Sequence, residues 1–241
     1  MVGFGLDLSG YTTGGTSLAV VVSNGETAEA IVLRGSTLSE ARSTNSSLRE
    51  IVDEEVRDLN RCFDIGPIAV DIPIDLQNLV FPERAALIWE LTQRPIDRAL
   101  RAMPPLANRI GAPVARFSAI FRQGKFGDRL GRDLFETYPS ENLRRLSAGV
   151  PASRHAVRQE FCQRFSFDAA WLGDDDVDAI VCALAAVAPK DCLVVEREFQ
   201  IDRGELPKGF RILSRCPFTS VSLREQDFST WLSEREAVSV R

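Results

Sequence analysis

Hydrophobic and polar residues alternate from the second position. In VGFGLDLS, Val2, Phe4, Leu6 and Leu8 share one side of an extended chain; Gly3, Gly5, Asp7 and Ser9 share the other. Two more runs of strand character follow, SLAVVV (17–22) and AEAIVLR (28–34), linked through Asn24-Gly25, a hairpin signal. The period then changes. Leu48, Ile51, Val52, Val56 and Leu59 recur at three- and four-residue steps, predicting a helix from about Ser39 to Cys62. In IGPIAVDIPI the alternation of the first strand returns: Ile68, Val70, Ile72 and Ile74 lie on one face, and Ala69, Asp71 and Pro73 on the other. Three strands, a helix and a strand predict a mixed α/β sheet.

Beyond it, residues 81–132 read as helix and loop, broken by Pro82, Pro95, Pro104, Pro105 and Pro113. LFETYP (134–139) predicts a short strand, followed by short helices from near Ser140 and over about 153–165. DDDVDAIVCALAAVA opens a well-marked helix after Gly173, and CLVVE (192–196) is a further strand candidate before RGELPKGFRIL. With no repeat, low-complexity block or long linker, the simplest division is one domain, 1–241, carrying a basic helical and loop insertion at about 81–132.

Composition removes several classes of function. The chain has 241 residues and a net charge of −5, so as a whole it is not a polycation drawn to nucleic acid or anionic membrane. Its longest apolar run, AIVCALAAVA (179–188), is too short to span a bilayer, and the start lacks the pattern of a secretory signal. Cys62, Cys162, Cys182, Cys192 and Cys216 form no CxxC pair, which suits reduced thiols and a cytoplasmic location. The single histidine, His155, lies in the polar stretch ASRHAVRQ and reads as a surface residue rather than the base of a triad. If the protein is an enzyme, its carboxylates carry the chemistry.

Asp7 and Asp71 each interrupt a strand in a sheet expected to be covered on both sides. An ionised group there needs a partner charge or hydrogen bonds. If the two strands are neighbours, both carboxylates project to one side at one sheet end, and a hard divalent ion would relieve their repulsion. In the late helix, Asp175 and Asp178 are three apart and share a face. Asp174 suits a helix cap and Asp176 a solvent-exposed position, whereas Asp178 lies a full turn in and leads an apolar stripe. Glu136 in FETYPS reads either as a further acid of the site or as an ordinary edge-strand glutamate.

Taken in order, GLDLSG, AVDIPIDL, ETYPS and DDDVDAIVCALAA resemble the RNase H-like superfamily, and more narrowly an uncharacterised domain-of-unknown-function family of predicted RNase H-like nucleases. TQRPIDRALR is similar to that family's arginine-rich segment, and the D-x-x-D-A step at Asp175, Asp178 and Ala179 to the last helix of Holliday-junction resolvases. The resemblance spans residues 2 to about 188. It implies a mixed sheet that begins with a meander, helices on both faces, Asp7, Asp71 and Asp178 as ligands of Mg²⁺ or Mn²⁺, and Asp175 and Glu136 as further acids. The implied activity is two-metal-ion hydrolysis of phosphodiester bonds in nucleic acid. Asp75 is a departure, standing where the family shows glycine (IPIDL for IPIGL).

The expected substrate contacts are Ser9, on Asp7's face, with Arg94, Arg98 and Arg101. Residues 93–132 hold nine basic side chains against only Asp97 and Asp128, and arginine's fork matches phosphate oxygens. The same arginines could instead pair with the acids at 53–58 and 174–178. Phe117, Phe121 and Phe126 fit base stacking or, more simply, the core. Two other functions remain open: an actin-like ATP-dependent phosphotransferase, suggested by DLSGYTTGGTS but lacking a second such hairpin, and an RNase H-like scaffold that binds nucleic acid or protein without cutting.

Overall fold

The computed structural model describes residues 1–11, 15–39, 47–76, 92–105, 107, 110–147, 159, 162–163, 171–199, 201 and 206–239. Its strands are β1 (Val2–Asp7), β2 (Ser17–Ser23), β3 (Thr27–Arg34), β4 (Ile68–Val70), β5 (Leu134–Glu136) and β6 (Ser220–Asp227). The helices are α1 (Leu48–Phe63), α2 (Pro95–Ala99), α3 (Gly111–Gln123), α4 (Pro139–Leu146), α5 (Asp174–Val187) and α6 (Phe228–Ser239). The six strands form one sheet in the order β5-β4-β1-β2-β3-β6. β1, β2 and β3 make an antiparallel meander through the turn at Asn24-Gly25, where Gly25 takes φ +123°. β4 joins β1 in parallel, β5 joins β4 in parallel, and β6 pairs with β3 in parallel. This is the expected α/β arrangement, a mixed sheet that begins with a meander and carries helices on both faces.

The alternation in β1 divides two cores. Phe4, Leu6 and Leu8 point into a layer with Val52 and Leu59 of α1, Val114, Phe117 and Ile120 of α3, and Trp231 of α6. Phe117 and Phe126 are therefore core residues rather than a stacking surface. On the other face lies α5, whose alanines let the helix sit almost on the sheet. A Cβ at Gly5 would collide with Ala179 O and Ala183 N and come within 2.8 Å of Cys182 Cβ, so only glycine permits this approach. Gly3 faces Ala186 and Val187 and Gly5 faces Ala179 and Ala183, so the helix runs antiparallel to β1. Its amino end hence lies over the strand's carboxyl end. At the opposite end Arg211 donates to Ala185 O and Ala186 O and covers the Phe135 ring; burial lowers its pKa to about 10.

Several elements differ from the sequence reading. β4 is only three residues long, and Asp71 lies just past its end. CLVVE forms no strand: Leu193 makes a single bridge to Leu213, and Glu196–Glu198 is a 3-10 turn. β6 and α6 were not foreseen. Most of the helix expected at 153–165, and His155 with it, lies outside the described residues, as does the early part (81–91) of the expected insertion.

Candidate active site at the carboxyl edge of the sheet

The register places the acids. Leu6 pairs with Val70, and the Asp71 N–H donates to Leu6 O at 3.0 Å, so Asp7 and Asp71 stand at one level on neighbouring parallel strands. That spacing is about 4.8 Å between backbones. Both share the parity of Gly5 and Ala69, the residues that meet α5, so both carboxylates belong to the α5 face. Cys182 reports the same arrangement: burial raises its thiol pKa well above the usual value, and the Asp71 and Asp7 charges raise it further. Asp178 is 1% exposed, one turn before Cys182, and Asp175 is one turn earlier on the same stripe. Gly15, where the chain returns toward β2, lies against Asp175; a Cβ there would stand 2.7 Å from its Oδ2. Asp7, Asp71, Asp175 and Asp178 therefore gather at one edge, two beneath the helix and two on it.

The first turn of that helix is pinned from below. Asp176 takes both terminal nitrogens of Arg34, each at 2.8 Å, the Ser17 hydroxyl at 2.6 Å and the Gly173 N–H at 3.0 Å. Burial would raise its carboxyl pKa, but these hydrogen bonds, the Arg34 pair foremost, outweigh burial and hold it below the usual range. Asp176 is thus the cap and anchor rather than a solvent-exposed acid, and Asp174, assigned above to the cap, is exposed.

Glu136 lies elsewhere. It follows Phe135, which faces α5, so its side chain projects through the opposite face, where it is fully buried. Arg94 grips it with both terminal nitrogens (2.6 and 2.9 Å) and also binds Asp97 and Tyr138; the Ile74 N–H donates to the same carboxylate at 2.9 Å. Glu136 and Asp97 share the 3%-exposed Arg94 as their buried counter-charge. The structure thus does not bring Glu136 to the acids on the α5 face or Arg94 to a surface; Arg98 and Arg101 are exposed.

Ser9 is committed to loop structure. Its N–H donates to Thr16 Oγ1 at 2.9 Å, and its carbonyl accepts from Arg116 at 3.0 Å. Arg116, itself buried, also reaches Thr16, Leu38 O and the buried Glu55, which accepts from the Tyr11 hydroxyl. Burial, then the Glu55 charge, pushes the Tyr11 phenol above its usual pKa. These positioning groups were missed because a lone arginine and a lone glutamate 61 residues apart carry no local signal.

Among the described residues no three or more His, Cys, Asp or Glu side chains converge as a metal-holding cluster. The donor chemistry of the edge nevertheless suits a hard divalent cation, since every candidate ligand there is a carboxylate oxygen. Among the described residues no helix is long and apolar enough to cross a membrane.

A mixed α/β protein, with Asp7 and Asp71 at the carboxyl edge of its sheet beneath the amino end of α5, is what the fold and this edge define. The chain matches no family model and no curated protein. Among solved structures it is similar to RuvC from Thermus thermophilus, at 18% identity and a TM-score of 0.42 over 76% of this chain and 91% of that one. It is equally similar to T. thermophilus RuvC in complex with a Holliday junction substrate, at 17% identity and a TM-score of 0.42, covering 76% and 90%.

Proposed function

We propose that this protein is a divalent-metal-dependent nuclease that hydrolyses phosphodiester bonds of nucleic acid. The observation that carries the reading is the level pairing of Asp7 and Asp71 on adjacent parallel strands, directly beneath the helix that bears Asp178 and Asp175. Asp7, Asp71 and Asp178 would hold Mg²⁺ or Mn²⁺, with Asp175 assisting. When bound, a pair of such ions supplies an activated water and neutralises charge on the leaving oxygen. The chain's own part is placement. Gly3 and Gly5 keep Asp7's face free of bulk, so the helix that carries Asp175 and Asp178 lies close against β1. Asp176, clamped by Arg34 and Ser17, fixes the turn that carries Asp175 and begins the one that carries Asp178. Glu136 and Arg94 have no place in this site; they brace the end of β5.

The test combines Mn²⁺ calorimetry with hydrolysis of single-stranded, duplex, hybrid and branched substrates. Asp7→Asn and Asp71→Asn are expected to abolish hydrolysis, with at least a ten-fold weaker Mn²⁺ affinity. Full activity in either variant overturns the assignment. Nucleic-acid binding without turnover in any divalent ion would instead describe a non-catalytic scaffold.

A further inference from the structure

A groove with a cavity volume of about 480 Å³ opens between α2, α4 and the turn at Glu196–Glu198. Leu100 and Phe199 form its apolar part, and Arg101, Arg144 and Arg145 its basic part. Arg101 takes φ +54°, a left-handed backbone that is unfavourable for a residue other than glycine. The turn is closed by backbone bonds alone, Arg101 N–H to Arg98 O and Ala102 N–H to Asp97 O, and glycine would make it without strain. Strain of this kind is consistent with an arginine kept for its side chain. Among the described residues nothing pairs with that guanidinium, and it is exposed.

The acids in the groove are already answered. Glu141 binds Arg144 at 2.6 Å and Arg145 at 2.7 Å. Burial opposes ionisation of Glu141, but the two arginines prevail and its pKa falls below the usual value. Glu198, half-exposed, lies 3.7 Å from Arg145. Three arginines against two glutamates leave one positive charge in excess, with Arg101 the member not engaged. Phe199 stands edge-on to Phe210, which holds the apolar wall in place. An exposed guanidinium beside a partly apolar groove suits a phosphodiester, with the phosphate meeting the arginine.

The position is also apt. α4 begins three residues after the end of β5, and Arg94 ties α2 to the last residue of that strand. The groove therefore flanks the carboxyl edge, on the side of β5. β5 is two strands from β1, roughly 10 Å away at the usual strand spacing.

We propose that this groove binds the phosphodiester backbone of single-stranded nucleic acid, guiding the strand past the carboxylates; the substrate class rests on the nuclease reading above. The test is fluorescence anisotropy with a labelled single-stranded oligonucleotide of about ten nucleotides, titrated with NaCl in the presence of EDTA so that nothing is cut. Arg101→Gly suits the backbone and preserves the fold. It is expected to weaken binding about five- to ten-fold and to reduce the slope of log K against log salt by about 0.7, the loss of one phosphate contact. Arg101→Lys should retain the slope, and a duplex of equal length should be insensitive to Arg101→Gly. An unchanged affinity and slope in Arg101→Gly overturns the proposal, as does an equal loss on the duplex. The two readings separate cleanly. Slope loss without Mn²⁺-dependent hydrolysis would keep the groove and remove the nuclease; hydrolysis with an unchanged slope would do the reverse.

Discussion

Of the described glycines, Gly5 leaves the least room for a Cβ, which makes it a direct test. Gly5 lies in the middle of β1 under α5, and alanine in its place would add a single methyl group. That carbon would collide with Ala179 O and Ala183 N, backbone atoms that no rotamer change can move, and would stand 2.8 Å from Cys182 Cβ. Because ordinary carbon contacts lie near 3.5–4.0 Å, the helix must retreat by on the order of 1 Å. Overpacking of this sort typically costs about 1–3 kcal/mol, and the upper end applies where the obstacle is backbone. For a chain of this size, about 3 kcal/mol is a fall in Tm of roughly 6–12 °C. The same retreat lifts Asp178 and Asp175 away from Asp7 and Asp71, so Mn²⁺ affinity should fall as well. Urea denaturation followed by circular dichroism, with calorimetry for the metal, measures both effects. Gly127→Ala is the control: a Cβ there meets nothing within 4 Å, so stability should stay within about 0.5 kcal/mol of the parent. If Gly5→Ala proves as stable as Gly127→Ala, the close seating of α5 on β1 is wrong, and the geometry of the candidate site with it.

Glu136→Gln should act on stability alone: it weakens two buried hydrogen bonds to Arg94 but leaves Asp97 as that arginine's counter-charge, a change worth about 1–3 kcal/mol, while Mn²⁺ affinity in the folded protein stays at the parental value; a selective loss of metal binding would return Glu136 to the site. The pH dependence of Asp176 has a definite sign. Its folded pKa is depressed, so its stabilisation is complete above the unfolded value near 3.9 and is lost as pH falls through the lower folded value; Arg34 is partly exposed, so the effect should be under about 1 kcal/mol, and Asp176→Asn should flatten the acid limb of the stability curve between about pH 5 and 2. Thiol titration with a chromogenic disulfide should modify Cys216 well before Cys62 or Cys182, whose buried thiols have raised pKa values; rapid modification of Cys182 in the native protein would contradict its place on the sheet-facing side of α5.

Much of the fold can be read along the chain because burial here follows strict periods. β1, β2 and β3 have one face against each core, which imposes the two-residue alternation, and Asn24-Gly25 marks the hairpin. β6 escaped because it is an edge strand: only Val221 is buried in SVSLREQD, and its register comes from pairing with β3, almost two hundred residues earlier. α6 was more legible than it was taken to be. Phe228, Trp231 and Leu232 are buried at helical spacing, and Asp227 accepts the Thr230 N–H as a cap. CLVVE misled in the opposite sense, since a short apolar run signals burial without saying whether a partner strand exists. Val194 is buried, but against Ile96 and Ile212 rather than along a ladder.

The candidate site divides along the same line. Asp7 and Asp71 could be matched from sequence because each sits at the same phase of a similar alternation, and parallel neighbours at equal register carry that phase into space. Asp175 and Asp178 followed from the three-residue step of one helix. Glu136 could not be placed this way, because in a three-residue strand the phase depends on which neighbour pairs with Val70. Pairing Val70 with Glu136 sends the glutamate to the face of Val70, away from Asp71, and a register shift of one residue would have reversed the outcome. Arg94 then follows from Glu136. A buried carboxylate on that face needs a cation, and the arginine at the head of α2 is turned inward to supply it, which removes Arg94 from any surface that meets substrate. Arg98 and Arg101, which lie beyond that first turn, are exposed.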